Sequence, residues 1–173
     1  MEFLVENAIK ASEQQQASTV SNDLIGHANI KVIGVGGAGN NMVGWMYNKG
    51  VKGAEIIACN TDQQHLNMIN ADRKFLIGKS VTRGLGCGGF PERGAEAAKE
   101  SLQELKQCLK ASDMVFVCAG MGGGTGTGAA AVVAQVAKDT GSIVIGTVTM
   151  PFKIERARVD KAEFGLSQLR RRE

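Results

Sequence analysis

A chain of 173 residues with 43% apolar content is long enough for one domain with its own core. A net charge of +3 and only 5% aromatic residues argue against partners that need a strongly basic face or a row of stacking rings, so nucleic acid is not expected. No apolar run approaches the ~20 residues of a membrane helix and no secretory leader opens the chain, so direct membrane insertion is not expected either. The four cysteines (Cys59, Cys87, Cys108 and Cys118) form no C-x-x-C pair and share no metal-ligand spacing with His27 and His65. Three of the four sit in apolar strand or helix patterns and read as small core residues, and a reduced, cytoplasmic protein with no protein-held metal site is expected.

Residues 1–27 stand apart as an extension. Phe3, Leu4 and Ile9 suit a short amphipathic helix in the first dozen residues, and the polar remainder reads as a mobile lead-in. Residues 28–173 form the folded domain. A strand over 30–35 runs into a turn at Gly36-Gly37-Ala38-Gly39-Asn40-Asn41 and a helix over 42–48. A second strand, 54–59, closes on Asn60-Thr61-Asp62, where Asp62 can cap a helix ending at Met68. A short strand follows over 74–77, then a glycine-rich loop over 83–90. Pro91 suits the first turn of a long helix reaching Leu109, with Ala95, Ala98, Leu102, Leu105 and Leu109 on one face.

The next strand, from Met114 to Ala119, leads into Gly120-Met121-Gly122-Gly123-Gly124-Thr125-Gly126-Thr127-Gly128 and a helix over 129–138. A strand over 143–149 is broken by Met150-Pro151-Phe152, and a helix with a charged face spans 154–172. Apolar strands alternating with helices predict an α/β fold: a doubly wound, mainly parallel sheet with helices on both faces, Rossmann-like in plan. Such sheets bind ligands at the carboxyl ends of their strands, where the glycine-rich loops are placed.

The loop over 120–128 carries the chemistry. Its glycines leave backbone N–H groups uncovered, and the following helix adds its positive dipole end. The threonines offer hydroxyls without bulk. This is a phosphate cradle, although a lysine does not follow Gly128 as a P-loop requires; Ala129 stands there. Gly34-Val35-Gly36-Gly37-Ala38-Gly39 also fits G-x-G-x-x-G, and Asp62 lies where a dinucleotide fold places its ribose-binding acid. A dinucleotide-dependent oxidoreductase is therefore a rival, weakened by the carboxamides of Asn40-Asn41 and by the second, denser phosphate loop.

The chain resembles FtsZ, the tubulin-like GTPase family of prokaryotic cell division, and its archaeal members in particular. The resemblance runs from about Ile30 to the C-terminus. It rests on Gly36 to Asn41, Asn60-Thr61-Asp62, Thr82-Arg83-Gly84-Leu85-Gly86-Cys87-Gly88, Gly122 to Gly128, and Pro151-Phe152 with Glu155. It implies GTP or GDP as ligand, with Mg²⁺. Gly36, Gly37, Ala38, Gly39, Asn40 and Asn41 would hold the inner phosphates and approach the base. Asn60 and Asp62 would support the phosphate rim and a subunit contact. Cys87 and Gly88 would belong to the loop that senses the γ-phosphate. Gly123, Gly124, Thr125, Gly126 and Thr127 would wrap the phosphates, with Glu155 on the ribose and Arg158 near the sugar or base.

The resemblance further implies head-to-tail filaments of the protein with itself, contacts with other division proteins, and a cytoplasmic location at the midcell division site. In the family, two acidic residues from a later loop reach the neighbouring subunit's nucleotide and position the attacking water. That loop would lie after Glu173, so no catalytic residue is assigned here, and residues 1–173 are expected to bind nucleotide with little hydrolysis. A non-catalytic module that caps filaments is a third reading. Plainer roles also stand: Asn60-Thr61-Asp62 as a helix cap, Arg83 as a surface charge, and Glu155, Arg156 and Arg158 as an exposed ion-pair cluster. Two departures from the family pattern are Phe90, in place of a polar residue, and a segment after Glu155 one residue short.

Overall fold

The computed structural model describes residues 28–171, so the helix and lead-in read in residues 1–27 lie outside the described residues. Five strands, β1 (Ile30–Val35), β2 (Ala54–Asn60), β3 (Arg73–Leu76), β4 (Met114–Gly120) and β5 (Ile143–Thr149), form one sheet. Their order is β3-β2-β1-β4-β5, and every neighbouring pair is parallel. Parallel neighbours require crossovers. These contain α1 (Gly36–Asn48), α2 (Gln63–Met68), α3 (Lys79–Thr82), α4 (Pro91–Glu100), α5 (Leu102–Leu109) and α6 (Thr125–Asp139). After β5 a 3₁₀ turn, Lys153–Glu155, precedes α7 (Ala157–Arg170).

Alternation along the strands divides the core in two. Val32, Ile56, Ala58 and Cys118 point to one face and pack with Val43 of α1 and Leu66 of α2. Ile33, Val35, Ile57, Val115 and Val117 point to the other, against Leu105 and Leu109 of α5, Val133 of α6 and Leu169 of α7. Both faces are therefore covered by helices, and the central strands are largely apolar, with Lys31 of β1 paired to Glu55 of β2 at 3.4 Å near their starts.

Two helices begin earlier than their sequence pattern predicts, one begins later, and one is interrupted. α1 starts at Gly36 and α6 at Thr125, so both glycine motifs supply a helical first turn. Gly36 makes the abrupt step from β1 possible: its φ is +74°, and a methyl group there would sit 2.7 Å from the Gly126 nitrogen. The helix expected from Pro91 to Leu109 is interrupted at Ser101, whose hydroxyl accepts a hydrogen bond from the Gly78 N–H at 3.1 Å. Of its expected buried face, Ala98, Leu105 and Leu109 are enclosed, whereas Ala95 and Leu102 are half-buried. The one-turn helix α3 was not anticipated. The helix expected from residue 154 begins instead at Ala157, after Arg156 at φ +36°.

Candidate functional site

The order β2-β1-β4-β5 makes the junction of β1 and β4 the point where crossovers leave in opposite directions. Ligands bind at such a switch, outside the carboxyl ends of the strands. Here the two glycine motifs face one hollow of about 410 Å³. The turn after β1 lines it with Gly37 and Ala38, and the loop after β4 with Gly123, Gly124, Thr125 and Gly126. Pro151, Glu155 and Arg158 close the side beyond β5.

Two helix N-termini meet at this hollow. Neither α1 nor α6 has a side-chain cap or an acidic residue in its first turn, so neither supplies a local anion to its free N–H groups. Gly37 and Ala38 belong to the first turn of α1, and Thr125 and Gly126 to that of α6. The donors and the two dipole ends suit a multiply charged anion held by backbone. A larger groove of about 660 Å³ between α4–α5, α6 and α7 is lined by side chains such as Leu102, Val132 and Phe164 and lacks this character.

Hydroxyls and a thiol tie the loops together. Thr125 Oγ1 lies 2.7 Å from Thr61 Oγ1, just past β2. Cys87 Sγ sits behind them, 3.4 Å from Thr61 Oγ1 and 3.5 Å from Thr125 Oγ1. Thr127 is buried, and its hydroxyl accepts the Gly122 N–H at 2.9 Å, which shapes the bend. The loop over 87–90 runs directly against Gly124, where a methyl would sit 2.7 Å from Cys87 Cβ and 3.0 Å from the Phe90 nitrogen. Exposed Gly88 lies on that loop.

Other residues singled out from sequence serve the frame around the hollow. Gly36 and Gly39 are buried beneath it. Asn40 is fully buried; its Oδ1 accepts the Cys59 N–H at 3.2 Å, bracing α1 against β2, and its Nδ2 has no hydrogen-bond partner among the described residues. Asn41 is exposed and stands outside the hollow's lining. Asn60 is buried, and its side chain accepts the Thr61 N–H at 2.9 Å and faces His65 Nδ1 at 3.3 Å. Asp62 caps α2 by accepting the His65 N–H at 3.0 Å. Glu155 accepts from the Phe152 N–H and from Arg158 Nη1, each at 3.0 Å.

Burial pushes the Cys59 thiol up to about 12, with nearby Cys108 adding to the effect; burial likewise raises Cys108 and Cys118. These thiols are therefore held in the unreactive, protonated form. No group of three or more His, Cys, Asp or Glu that could hold a metal occurs among the described residues. Sequence reasoning missed Thr149 and Met150 in the lining. Their only signal was their place at the end of β5, on the rim where the ligand belongs.

Comparison with known proteins agrees with this geometry. A model described as "Tubulin/FtsZ family, GTPase domain" matches residues 29–172. Cell division protein FtsZ 2 of Methanocaldococcus jannaschii is 53% identical over 166 residues, 96% of this chain and 43% of the relative. Cell division protein FtsZ 1 of Archaeoglobus fulgidus is 56% identical over 142 residues, 82% of this chain and 39% of the relative. Among solved structures, an empty FtsZ dimer from M. jannaschii superposes with a TM-score of 0.86 at 45% identity, over 91% of this chain and 46% of that one. A GTPγS-bound protofilament of CetZ2 from Haloferax volcanii superposes with a TM-score of 0.75 at 27% identity, over 83% of this chain and 46% of that one. The chain thus spans less than half the length of each of these relatives.

Proposed function

The chain belongs to the tubulin/FtsZ family, matching its GTPase domain, and on that premise we propose that it is the guanine-nucleotide-binding part of a cell-division GTPase. The observation that carries this reading is the shared hollow: Ala38 and Thr125, on separate glycine turns, line the same 410 Å³. In the β1 turn, from Gly36 to Asn41, Gly37 and Ala38 take the inner phosphates while the other residues hold the turn in place. Gly123 to Thr127 wrap the outer ones through backbone N–H groups and the Thr125 hydroxyl. The loop with Cys87 and Gly88 meets the terminal phosphate. Glu155 binds the ribose, and Arg158 lies beside the sugar or base.

Two helix dipoles and a set of main-chain donors take the place of a P-loop lysine. Mg²⁺ suits such a site because it is typically held by phosphate oxygens, water and few protein oxygens. It would arrive with the nucleotide and neutralise phosphate charge, while Thr125 offers it a hydroxyl.

Self-association follows from the same rim. Leu85, Phe90, Phe152 and Ile154 are exposed on loops around the carboxyl ends of the strands. A head-to-tail contact would cover them and build an open filament at the division site in the cytoplasm. Among the residues lining the hollow, Glu155 is the one carboxylate, and it is paired with Arg158. Positioning a water therefore falls to acidic residues of a neighbouring subunit, and residues 1–173 alone bind nucleotide with little turnover.

The test is to denature the purified chain and identify the released nucleotide by chromatography. GTP or GDP is expected; a nicotinamide or adenine nucleotide would replace this reading with the oxidoreductase one. That rival assigned a ribose contact to Asp62, whose Oδ1 is occupied in capping α2. Rapid steady-state phosphate release by residues 1–173 alone would overturn the claim of low turnover.

A further inference from the structure

We propose that Lys161 of α7 is a positioning residue for the loop over 87–90, strapping it onto the glycine loop of β4 and so setting how firmly a terminal phosphate is held. The proposal rests on the nucleotide reading, which places that phosphate beside this loop.

Arg158 and Lys161 are three residues apart on α7 and therefore share a face of the helix. Arg158 lines the hollow. Lys161 reaches beyond it: Nζ donates to the Gly89 carbonyl at 2.9 Å and stands 5.8 Å from the centroid of the Phe90 ring. The ring in turn leans over Gly88, close enough that a methyl there would lie 3.7 Å from it. One ammonium thus holds Gly89 directly and Gly88 through an aromatic ring.

The loop needs such a tether. Gly88 and Gly89, at φ of +59° and +78°, lack the Cβ that would restrict other backbone conformations, and residues 88–90 are exposed. At its other end the loop is anchored by the Cys87 thiol beside Thr61 and Thr125. With both ends fixed, the loop stays packed on Gly124, and its N–H groups remain near the outer end of the phosphate chain. One helix then contributes Arg158 to the hollow and, through Lys161, restrains the loop packed against Gly124.

The experiment measures dissociation of a fluorescent, non-hydrolysable GTP analogue and of fluorescent GDP from the 173-residue chain, by stopped flow, for wild type, Lys161→Met and Lys161→Arg. Lys161→Met should release the GTP analogue about tenfold faster while GDP changes by less than about twofold. Lys161→Arg keeps both a donor and a cation over the ring and should restore the slow release. Melting temperatures accompany each variant. Equal acceleration for both nucleotides marks Lys161 as merely structural and overturns the proposal; so does unchanged release of both. A wild-type chain that binds neither nucleotide overturns the nucleotide reading itself, and this inference falls with it.

Discussion

Thr61 and Thr125, 64 positions apart in the chain, bring their hydroxyl oxygens to within 2.7 Å. That contact joins the end of β2 to the first turn of α6 and braces Thr125, which lines the hollow, from behind. Thr61 is fully buried, so its hydroxyl depends on such partners. Thr125→Val keeps the shape and removes the bond. It should cost ~1 kcal/mol, a drop of a few degrees in melting temperature, and weaken nucleotide binding. Calorimetry and a fluorescence titration read the two effects, and an unchanged affinity would remove Thr125 from the ligand's contacts.

Gly36 and Gly37 are neighbours with opposite demands. Gly36 holds φ at +74° with the Gly126 backbone close by, whereas a side chain at Gly37 would meet nothing within 4 Å. Gly36→Ala should destabilise by at least ~1–2 kcal/mol from backbone conformation alone and push the two glycine motifs apart. Gly37→Ala should melt like wild type yet bind nucleotide less well, since its methyl enters the hollow. Thermal melts and titrations of the two variants side by side check this split. Normal binding by Gly37→Ala would show that no ligand backbone approaches α1 there.

Glu155 decides between a ligand contact and a surface ion pair. Its partner Arg158 is 66% exposed, and pairs of this kind contribute only ~0–1 kcal/mol to folding. Glu155→Ala should therefore leave the melting temperature nearly unchanged while lowering nucleotide affinity about tenfold, the loss of one charged hydrogen-bond partner. Equal affinity in the variant would reduce Glu155 to the ion pair and the turn it closes with the Phe152 N–H.

Cys59 makes stability depend on alkaline pH. Its thiol, raised by burial from 9.0 to about 12, stays protonated in the folded chain where the unfolded chain loses the proton. Its contribution is intact below pH 9 and is lost as pH rises from there towards 12. Melting temperature should fall in that window, and less steeply in Cys59→Ala, although the raised thiols of Cys108 and Cys118 contribute in the same direction. A Cys59→Ala profile parallel to wild type would show that other groups govern the decline.

The strands were the most legible part of the chain. β1 and β5 run as expected, β2 and β4 each run one residue longer and β3 is shifted by one residue, because apolar runs bounded by glycine and polar turns have few other ways to be buried. Helix starts were legible where a local signal marks them, as at Asp62 before α2 and Pro91 of α4, and not at the glycine motifs. Glycine-rich first turns have poor intrinsic helix propensity, and Gly36 and Thr125 become helical because the two turns lock against each other. The break at Ser101 follows from a bond to Gly78, far away in sequence. The late start of α7 follows from Arg156, a non-glycine residue at φ +36°, which no local sequence signal marks.

Two asparagines show the same division. Asn40 and Asn60 stand in motifs that suggest ligand contact, yet each is buried and hydrogen-bonded to a backbone N–H. Composition alone does not separate a carboxamide that meets a ligand from one that braces the frame, because the residue type suits both.

Residue order by itself determined the layered parallel architecture and the presence of two side-chain-poor turns before helices, since hydrophobic periodicity and glycine placement are local properties. Tertiary structure alone decided that those turns share a hollow, that Thr61 meets Thr125, and that Lys161 reaches Gly89. These are distances between segments, created by strand order and helix packing, and no local pattern of residues encodes them.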